Sequence, residues 1–382
     1  PEFASPSATT KETGSIMSAR KRLVLKIGSS SVTSDDGGPD RELLDRLARE
    51  VHDQMNEGWD VVVVSSGAVA AGWAAIGEGK ARPVDPGLLQ AVSSVGQHRL
   101  MSEWADAFAS VDRTVGQVLL ARLGEADRQQ YLHAEQTFAH LFALGVVPIV
   151  NENDAVADDE IRFGDNDRLA ALVAHLIRAD RFVMLTDAAG LFTADPRLDA
   201  DASLIQEVSE IDRSLELVAG GPGEGATGGM ASKLAAARIA TWSGVETVIA
   251  DARNVGVLAA IEGGNASVGT TFHPRSSRLS AHKLWIAFAL GSRGQISIDA
   301  GAIRALVSEG GSLLAVGVVG VDGDFTSGDA VEILGPDGEL VAKGLSQLDA
   351  STSKNWTVTS GEQTGGVVIH RDDLVILAGS DV

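Results

Sequence analysis

Residues 166–186 read "NDRLAALVAHLIRADRFVMLT". Apolar residues recur at helical spacing from Leu169 to Ile177, and the short apolar run "RFVMLT" follows as a strand. The same alternation extends to both sides. Upstream lie the strand "RLVLKIG" with its apolar run from Leu23 to Ile27, the helix "RELLDRLAREVHDQMNEG" ending at Gly58, and the strand "DVVVVSSG". Helices are expected over 67–77 and 87–109, interrupted by Pro83 and Pro86, then the strand "TVGQVLL", the helix "QQYLHAEQTFAHLFALG" and the strand "VVPIV". Downstream, a helix over 231–243 leads into the strand "ETVIA". Short buried strands alternating with amphipathic helices define an α/β fold, a mostly parallel sheet between helical layers.

In such sheets ligands bind beyond the carboxyl ends of the strands. The polar residues at those ends are Lys26 and Gly28, Ser66 and Gly67, Asn151 to Asp154, and Thr186 and Asp187. The pattern changes near residue 275. "RSSRLSAHKLWIAFA" joins a second part with one short helix at about 299–308 and short strands, among them "LLAVGVVGV", "AVEILG", "LVAKGL" and "GGVVIH". The expected division is a leader over 1–20, a catalytic domain over 21–274 and a small β-rich domain over 275–382. The leader lacks a signal peptide's apolar core and is read as disordered, its first residues "PEF" a candidate cloning remnant.

A formal charge of -21 argues against broad nucleic-acid binding, although a local site for an anionic nucleotide remains open through lysines, backbone donors and Mg²⁺. With no cysteine, thiolate catalysis and cysteine-ligated zinc are excluded, as are disulfides, and the composition suits a cytoplasmic chain. No apolar run reaches membrane-spanning length.

Five segments can carry chemistry. Lys26 before "GSSS" can meet a phosphate that Gly28 lets approach the backbone; alone it is equally an ordinary strand-edge lysine. "SSGAVAAG" can hold an anion on its backbone donors, or merely cap a helix. "NENDAVADDEIRFGDND" reads as a solvated acidic loop, or as a loop receiving an amine on Asp154 and aiming nearby lysines with Asp167. "LTDAAGLFTADPR" is an Asx-type turn or a nucleotide contact. Finally, six glycines crowd residues 220–229 directly ahead of the helix that begins "MASK". A surface linker uses glycines too, but has no need of Lys233 at a helix start, where a phosphate can bind. His133 and His140, seven apart on one helix, read as surface or partly buried residues, and no HExxH pair exists.

The ordered set "KIGSS", "SSGAVAAG", "NENDAV", "GDNDRLAALVA", "LTDAAGLFTADPR" and "ATGGMASK" resembles the glutamate 5-kinase family, amino acid kinases with a C-terminal PUA domain. The likeness runs from about Leu23 to the C-terminus. It implies the amino acid kinase fold and ATP-dependent phosphorylation of the γ-carboxylate of L-glutamate at the first step of proline biosynthesis. It also implies Lys26, Lys233 and Asp167 as catalytic residues, and Ser66, Asp154 and Asn166 as substrate contacts. The ATP contacts it implies are Lys26, Thr186, Asp187, Thr227, Gly228, Gly229, Met230, Ala231, Ser232 and Lys233. Mg²⁺ is expected with ATP, without assigned protein ligands.

The resemblance further implies feedback inhibition by L-proline, a homo-oligomer (dimer or tetramer) and functional coupling to glutamyl phosphate reductase. The acids Asp158, Asp159 and Glu160 add charge to the substrate loop and are expected to bear on its mobility or its response to proline. A PUA domain suggests RNA, yet the acidic chain offers no clear basic surface, so a structural or regulatory role is expected instead. The rival readings are an acetylglutamate or aspartate kinase, and a non-catalytic amino-acid sensor or RNA-binding protein.

Overall fold

The computed structural model describes residues 20–34, 37–77, 83–120, 128–156, 165–219, 229–275, 278–352 and 366–377. The glycine-loop residues Thr227 and Gly228 and the acids Asp158, Asp159 and Glu160 lie outside these.

The larger part is built on an eight-stranded sheet. Its strands are β1 (Lys21–Ile27), β2 (Trp59–Ser65), β3 (Val115–Leu120), β4 (Val147–Glu152), β5 (Arg181–Thr186), β6 (Glu207–Val208), β7 (Glu246–Asp251) and β8 (Gly269–Phe272). The spatial order is β3-β4-β2-β1-β5-β7-β8-β6, and every pair is parallel except β7 with β8. The helices are α1 (Ser29–Val32), α2 (Arg41–Asn56), α3 (Ala68–Ile76), α4 (Pro86–Ala109), α5 (Arg128–Ala143), α6 (Asp165–Leu176), α7 (Arg213–Val218), α8 (Met230–Trp242) and α9 (Val257–Glu262).

Strand alternation sorts the side chains into two cores. Leu23, Leu25 and Ile27 pack with α2, α4 and α9 on one face, while Val24 packs with α6 and α8 on the other. Lys26 holds the next position on Val24's face, so the same period that builds the core turns its ammonium toward α6 and α8. Start signals for the long helices are ordinary ones: Asp40 caps α2 through Leu43 N, and Asp85 caps α4 through Leu88 N with Pro86 at the first helical position.

Residues 278–289 pass over the end of α8. Trp242 packs there with Leu284, Ile286 and Ala287, and its ring meets Phe288 edge-on at 5.4 Å. The smaller part adds α10 (Ala281–Leu284), α11 (Ala300–Val307) and strands β9 (Gly294–Ile298), β10 (Leu313–Leu314), β11 (Val318–Gly323), β12 (Ala330–Leu334), β13 (Leu340–Leu345), β14 (Val367–Ile369) and β15 (Leu374–Ile376). They form a five-stranded sheet in the order β11-β9-β12-β13-β15 and the pair β10-β14.

"LLAVGVVGV" is not the single strand its apolar run suggests. A 3₁₀ turn at Ala315–Gly317 separates β10 from β11, and the chain changes sheets there. Gly317 packs against Ala302 so closely that a Cβ would lie 2.5 Å from the alanine methyl. Among the described residues no helix is long and apolar enough to cross a membrane.

Candidate active site

Four strand ends and two helix starts meet at the carboxyl edge of the sheet. Lys26 leaves the end of β1, and Gly28 N donates to Leu185 O of β5 at 3.2 Å, closing the turn against the neighbouring strand. Ser66 follows β2, Asn151 and Glu152 end β4, Asp154 opens a 3₁₀ turn, and Thr186 ends β5. Gly67 takes φ 106° between β2 and α3, where a Cβ would strike Val32 at 2.6 Å, so this tight exit requires glycine.

Asp167 lies in the first turn of α6 and is 1% exposed. Its Oδ1 lies 2.5 Å from Lys26 Nζ in a buried ion pair. Its Oδ2 accepts from Ser232 Oγ at 2.7 Å and lies 3.9 Å from Lys233 Nζ. One buried carboxylate therefore faces two ammonium groups carried by different elements, β1 and α8.

Burial pushes the Lys26 ammonium below the usual lysine range; Asp167 opposes that shift and Lys233 adds to it. For Asp167, burial pushes upward, yet Lys26, Lys233 and the Ser232 hydroxyl outweigh it and hold the carboxyl below its ordinary value. One carboxylate thus faces two ammonium groups. The cluster can accept a further anion such as a phosphoryl oxygen.

A second group lies beside it. Asn166 Nδ2 donates to Asn151 Oδ1 at 2.9 Å and to Ser66 Oγ at 3.2 Å. Asn151 Oδ1 also accepts from Glu152 N at 2.9 Å, and Asn151 Nδ2 donates to Gln97 Oε1 at 2.7 Å. Asp154 accepts a short hydrogen bond from Ser93 Oγ. Ser93, Gln97 and Asp154 line a cavity of about 440 Å³ between α4 and the ends of β3 and β4.

On the nucleotide-contact side, Thr186 Oγ1 donates to Asp187 Oδ1 at 3.0 Å, and Thr186 O accepts from Ala252 N at 2.7 Å. A larger cleft of about 650 Å³ runs along α1 and α2, with Ser30, Arg46, Asp187 and Arg253 in its walls. Gly229 caps α8, and Met230 to Lys233 form its first turn.

Of the residues singled out from the sequence, the fold gathers Lys26, Asp167, Ser232 and Lys233 around one carboxylate. It joins Ser66 and Asn166 through hydrogen bonds. Sequence reasoning missed Ser93 and Gln97, which stand four apart on one face of α4. It noted Asn151 as a strand-end residue without giving it a place in the site. Only that i, i+4 polar pair, flanking Gly96, could have pointed to α4.

The chain belongs to the amino acid kinase family, whose model matches residues 21–251, and a PUA domain matches residues 294–356. Similar curated relatives include the glutamate 5-kinase of Corynebacterium efficiens, 47% identical over 334 residues, which cover 87% of this chain and 89% of that one. The glutamate 5-kinase of Rhodococcus jostii is 48% identical over 359 residues, 93% of this chain and 96% of its own. At that identity and coverage the chain groups with the glutamate 5-kinases. Among solved structures, carbamate kinase from Giardia lamblia bound to AMP-PNP aligns with 68% of this chain and 100% of its own, at 16% identity and a TM-score of 0.48.

Proposed function

We propose that this chain transfers the γ-phosphoryl group of ATP to the γ-carboxylate of L-glutamate, forming L-glutamyl 5-phosphate and ADP at the first step of proline biosynthesis. The observation that carries the reading is the single buried Asp167 facing both Lys26 and Lys233, set beside the amide and carboxylate group of Ser66, Asn166 and Asp154.

The acceptor carboxylate is already ionised at neutral pH, so the reaction needs no general base. Its barrier is electrostatic, because one anion must attack a more highly charged one. Lys26 and Lys233 offset that repulsion and the charge that develops on the transferred group. Asp167 supplies what two neighbouring ammonium groups lack: a counter-charge that keeps them close and aimed. Asp154 receives the substrate ammonium, while Ser66 and Asn166 hold the substrate in line. Thr186, Asp187 and the glycine loop through Lys233 hold ATP.

Among the described residues no cluster of three or more acidic or histidine side chains forms a metal cage. Mg²⁺ ordinarily keeps its waters and binds through substrate phosphates with one or two carboxylates, so it suits this site as a partner of ATP and screens phosphate charge there.

We place the catalytic domain at 21–274 and the PUA-like domain at 275–382. We further propose a cytoplasmic enzyme, a dimer or tetramer, inhibition by L-proline and coupling to glutamyl phosphate reductase.

The deciding experiment incubates the purified chain with Mg-ATP and L-glutamate, traps the acyl phosphate with hydroxylamine and measures hydroxamate beside ADP. N-acetylglutamate and aspartate run in parallel. Product with glutamate alone supports the reading. Product with another acceptor overturns the substrate assignment, and folded protein making no product with any of the three overturns the catalytic reading.

A further inference from the structure

The amides around Asn151 have a fixed polarity. The backbone N–H of Glu152 is a donor and nothing else, so the Asn151 atom that meets it must be the carbonyl Oδ1. Asn151 Nδ2 must then point the other way, to Gln97 Oε1. The Asn166 atom that meets Asn151 Oδ1 must likewise be Nδ2, and its other hydrogen goes to Ser66 Oγ. Each choice forces the next. What remains is Asn166 Oδ1, sealed from solvent and without a hydrogen-bond partner among the described residues. A buried acceptor of this kind is costly unless something supplies a donor.

We infer that Gln97 and Asn151 are positioning residues that orient the Asn166 amide so that its carbonyl oxygen is presented to a donor of the substrate, its α-ammonium group. This rests on the glutamate kinase reading and deepens it: the amide chain, with Asp154, makes the site select a free ammonium over an acylated amine. The oxygen cannot be exchanged for the NH₂ by rotating the amide, because rotation would set Asn166 Oδ1 against Asn151 Oδ1. Asn151 is held in turn by the Glu152 backbone on one side and Gln97 on the other. Gln97 reaches it because α4 docks on α3 at Gly72 and Gly96, where a Cβ on Gly96 would lie 1.7 Å from Ala68 O. The Ser93 hydroxyl, one turn earlier on α4, holds Asp154 by the same docking.

The relay makes an unusual prediction about near-isosteric swaps that turn an amide donor–acceptor into an acceptor-only carboxylate. In Gln97→Glu the carboxylate still accepts from Asn151 Nδ2. In Asn151→Asp, Gln97 can turn its own amide and donate instead. In the double variant two carboxylates face each other across this contact and the relay breaks.

The test uses the full chain and measures kcat and both KM values by hydroxamate formation for wild type, the two single variants, the double variant and Gln97→Leu. Thermal melts accompany each. Each single change is expected to raise the glutamate KM by about threefold or less, and the double change by roughly tenfold beyond their product, with the ATP KM unmoved. Gln97→Leu, which removes the acceptor, raises the glutamate KM well beyond the small change expected for Gln97→Glu. That pair decides the question if the double variant fails to fold.

An effect of the double variant equal to the product of the singles overturns the relay, as does Gln97→Leu with an unchanged glutamate KM. Parallel rises in both KM values would overturn it too, since a merely structural residue acts that way. Wild-type protein making no glutamate-dependent product would instead overturn the functional reading on which the relay rests.

Discussion

Gly72 of α3 and Gly96 of α4 lie in backbone contact. A Cβ on Gly72 would sit 2.0 Å from Val92 O and one on Gly96 would sit 2.4 Å from Gly72 N. Both neighbours are backbone atoms, which cannot swing aside. Gly96→Ala must therefore push the two helices apart. We expect a loss of about 1–3 kcal/mol in urea or thermal unfolding, the usual cost of overpacking, with a rise in the glutamate KM as Ser93 and Gln97 move away. An unchanged melting temperature would show that the helices are not held at this separation.

Lys233 and Lys26 should separate catalysis from stability. Lys233 stands 3.9 Å from Asp167, and its side chain keeps some exposure, so Lys233→Ala leaves the fold intact and lowers kcat on the order of 100-fold or more. Lys26→Ala also lowers kcat, but it removes the closest counter-charge of a buried carboxylate and so destabilises the protein as well, by about 3–5 kcal/mol. Stopped turnover and melting curves, read on both variants, check the contrast. Near-normal turnover by folded Lys233→Ala would remove that lysine from the mechanism.

Asp154→Ala should affect one substrate only. The carboxylate is set by Ser93 and is assigned to the ammonium of glutamate, so the glutamate KM rises by about 10-fold or more while ATP binding, followed separately by titration, stays as it was. Equal loss of both ligands would place Asp154 outside the amine contact.

His175 on α6 gives the fold an acid limit. Burial, with Arg278 and Arg178 nearby, pushes its pKa down to about 4, against 6.5 for a free imidazole. The unfolded chain therefore takes up this proton first. The contribution is fully present above pH 6.5 and is lost as pH falls toward 4, by up to about 3 kcal/mol. His175→Gln, neutral at every pH, should flatten the stability profile across that window in urea titrations. A parallel slope in both proteins would show that His175 is not the titrating group. Asp167, whose pKa is lowered, adds its own loss only at still more acidic pH, below the ordinary carboxylate range.

The central strands and the polar residues at their ends were legible in the sequence for one physical reason: strand period and burial fix which side chains reach the carboxyl edge. Lys26 follows Val24 by two positions, and that alone puts it on the face of α6 and α8. The helices gave their own start signals at Asp40 and Asp85.

What stayed hidden depends on packing between distant segments. β6 has two residues and β8 has four, too few to show a period, and β8 runs antiparallel to β7. The turn within "LLAVGVVGV" is set by the close approach of Gly317 to Ala302. Ser93 and Gln97 look like any polar pair on a long helix, and only the glycine crossing with α3 brings them to Asn151 and Asp154. Glu152, read as one more acid of a charged loop, matters through its backbone N–H, which no side-chain pattern reveals.

Lys26 and Lys233 also meet at different moments of the protein's manufacture. Lys26 leaves the ribosome with the first strand, and Lys233 follows about two hundred residues later. At usual rates of synthesis that interval is roughly 10 to 40 seconds. During it β1 can pair with β2, and Asp167 can arrive to neutralise the waiting ammonium, but phosphoryl transfer still lacks its second cation. A nascent or truncated chain that stops before α8 therefore pairs only five of the sheet's eight strands and, on the proposed mechanism, lacks the second cation for phosphoryl transfer.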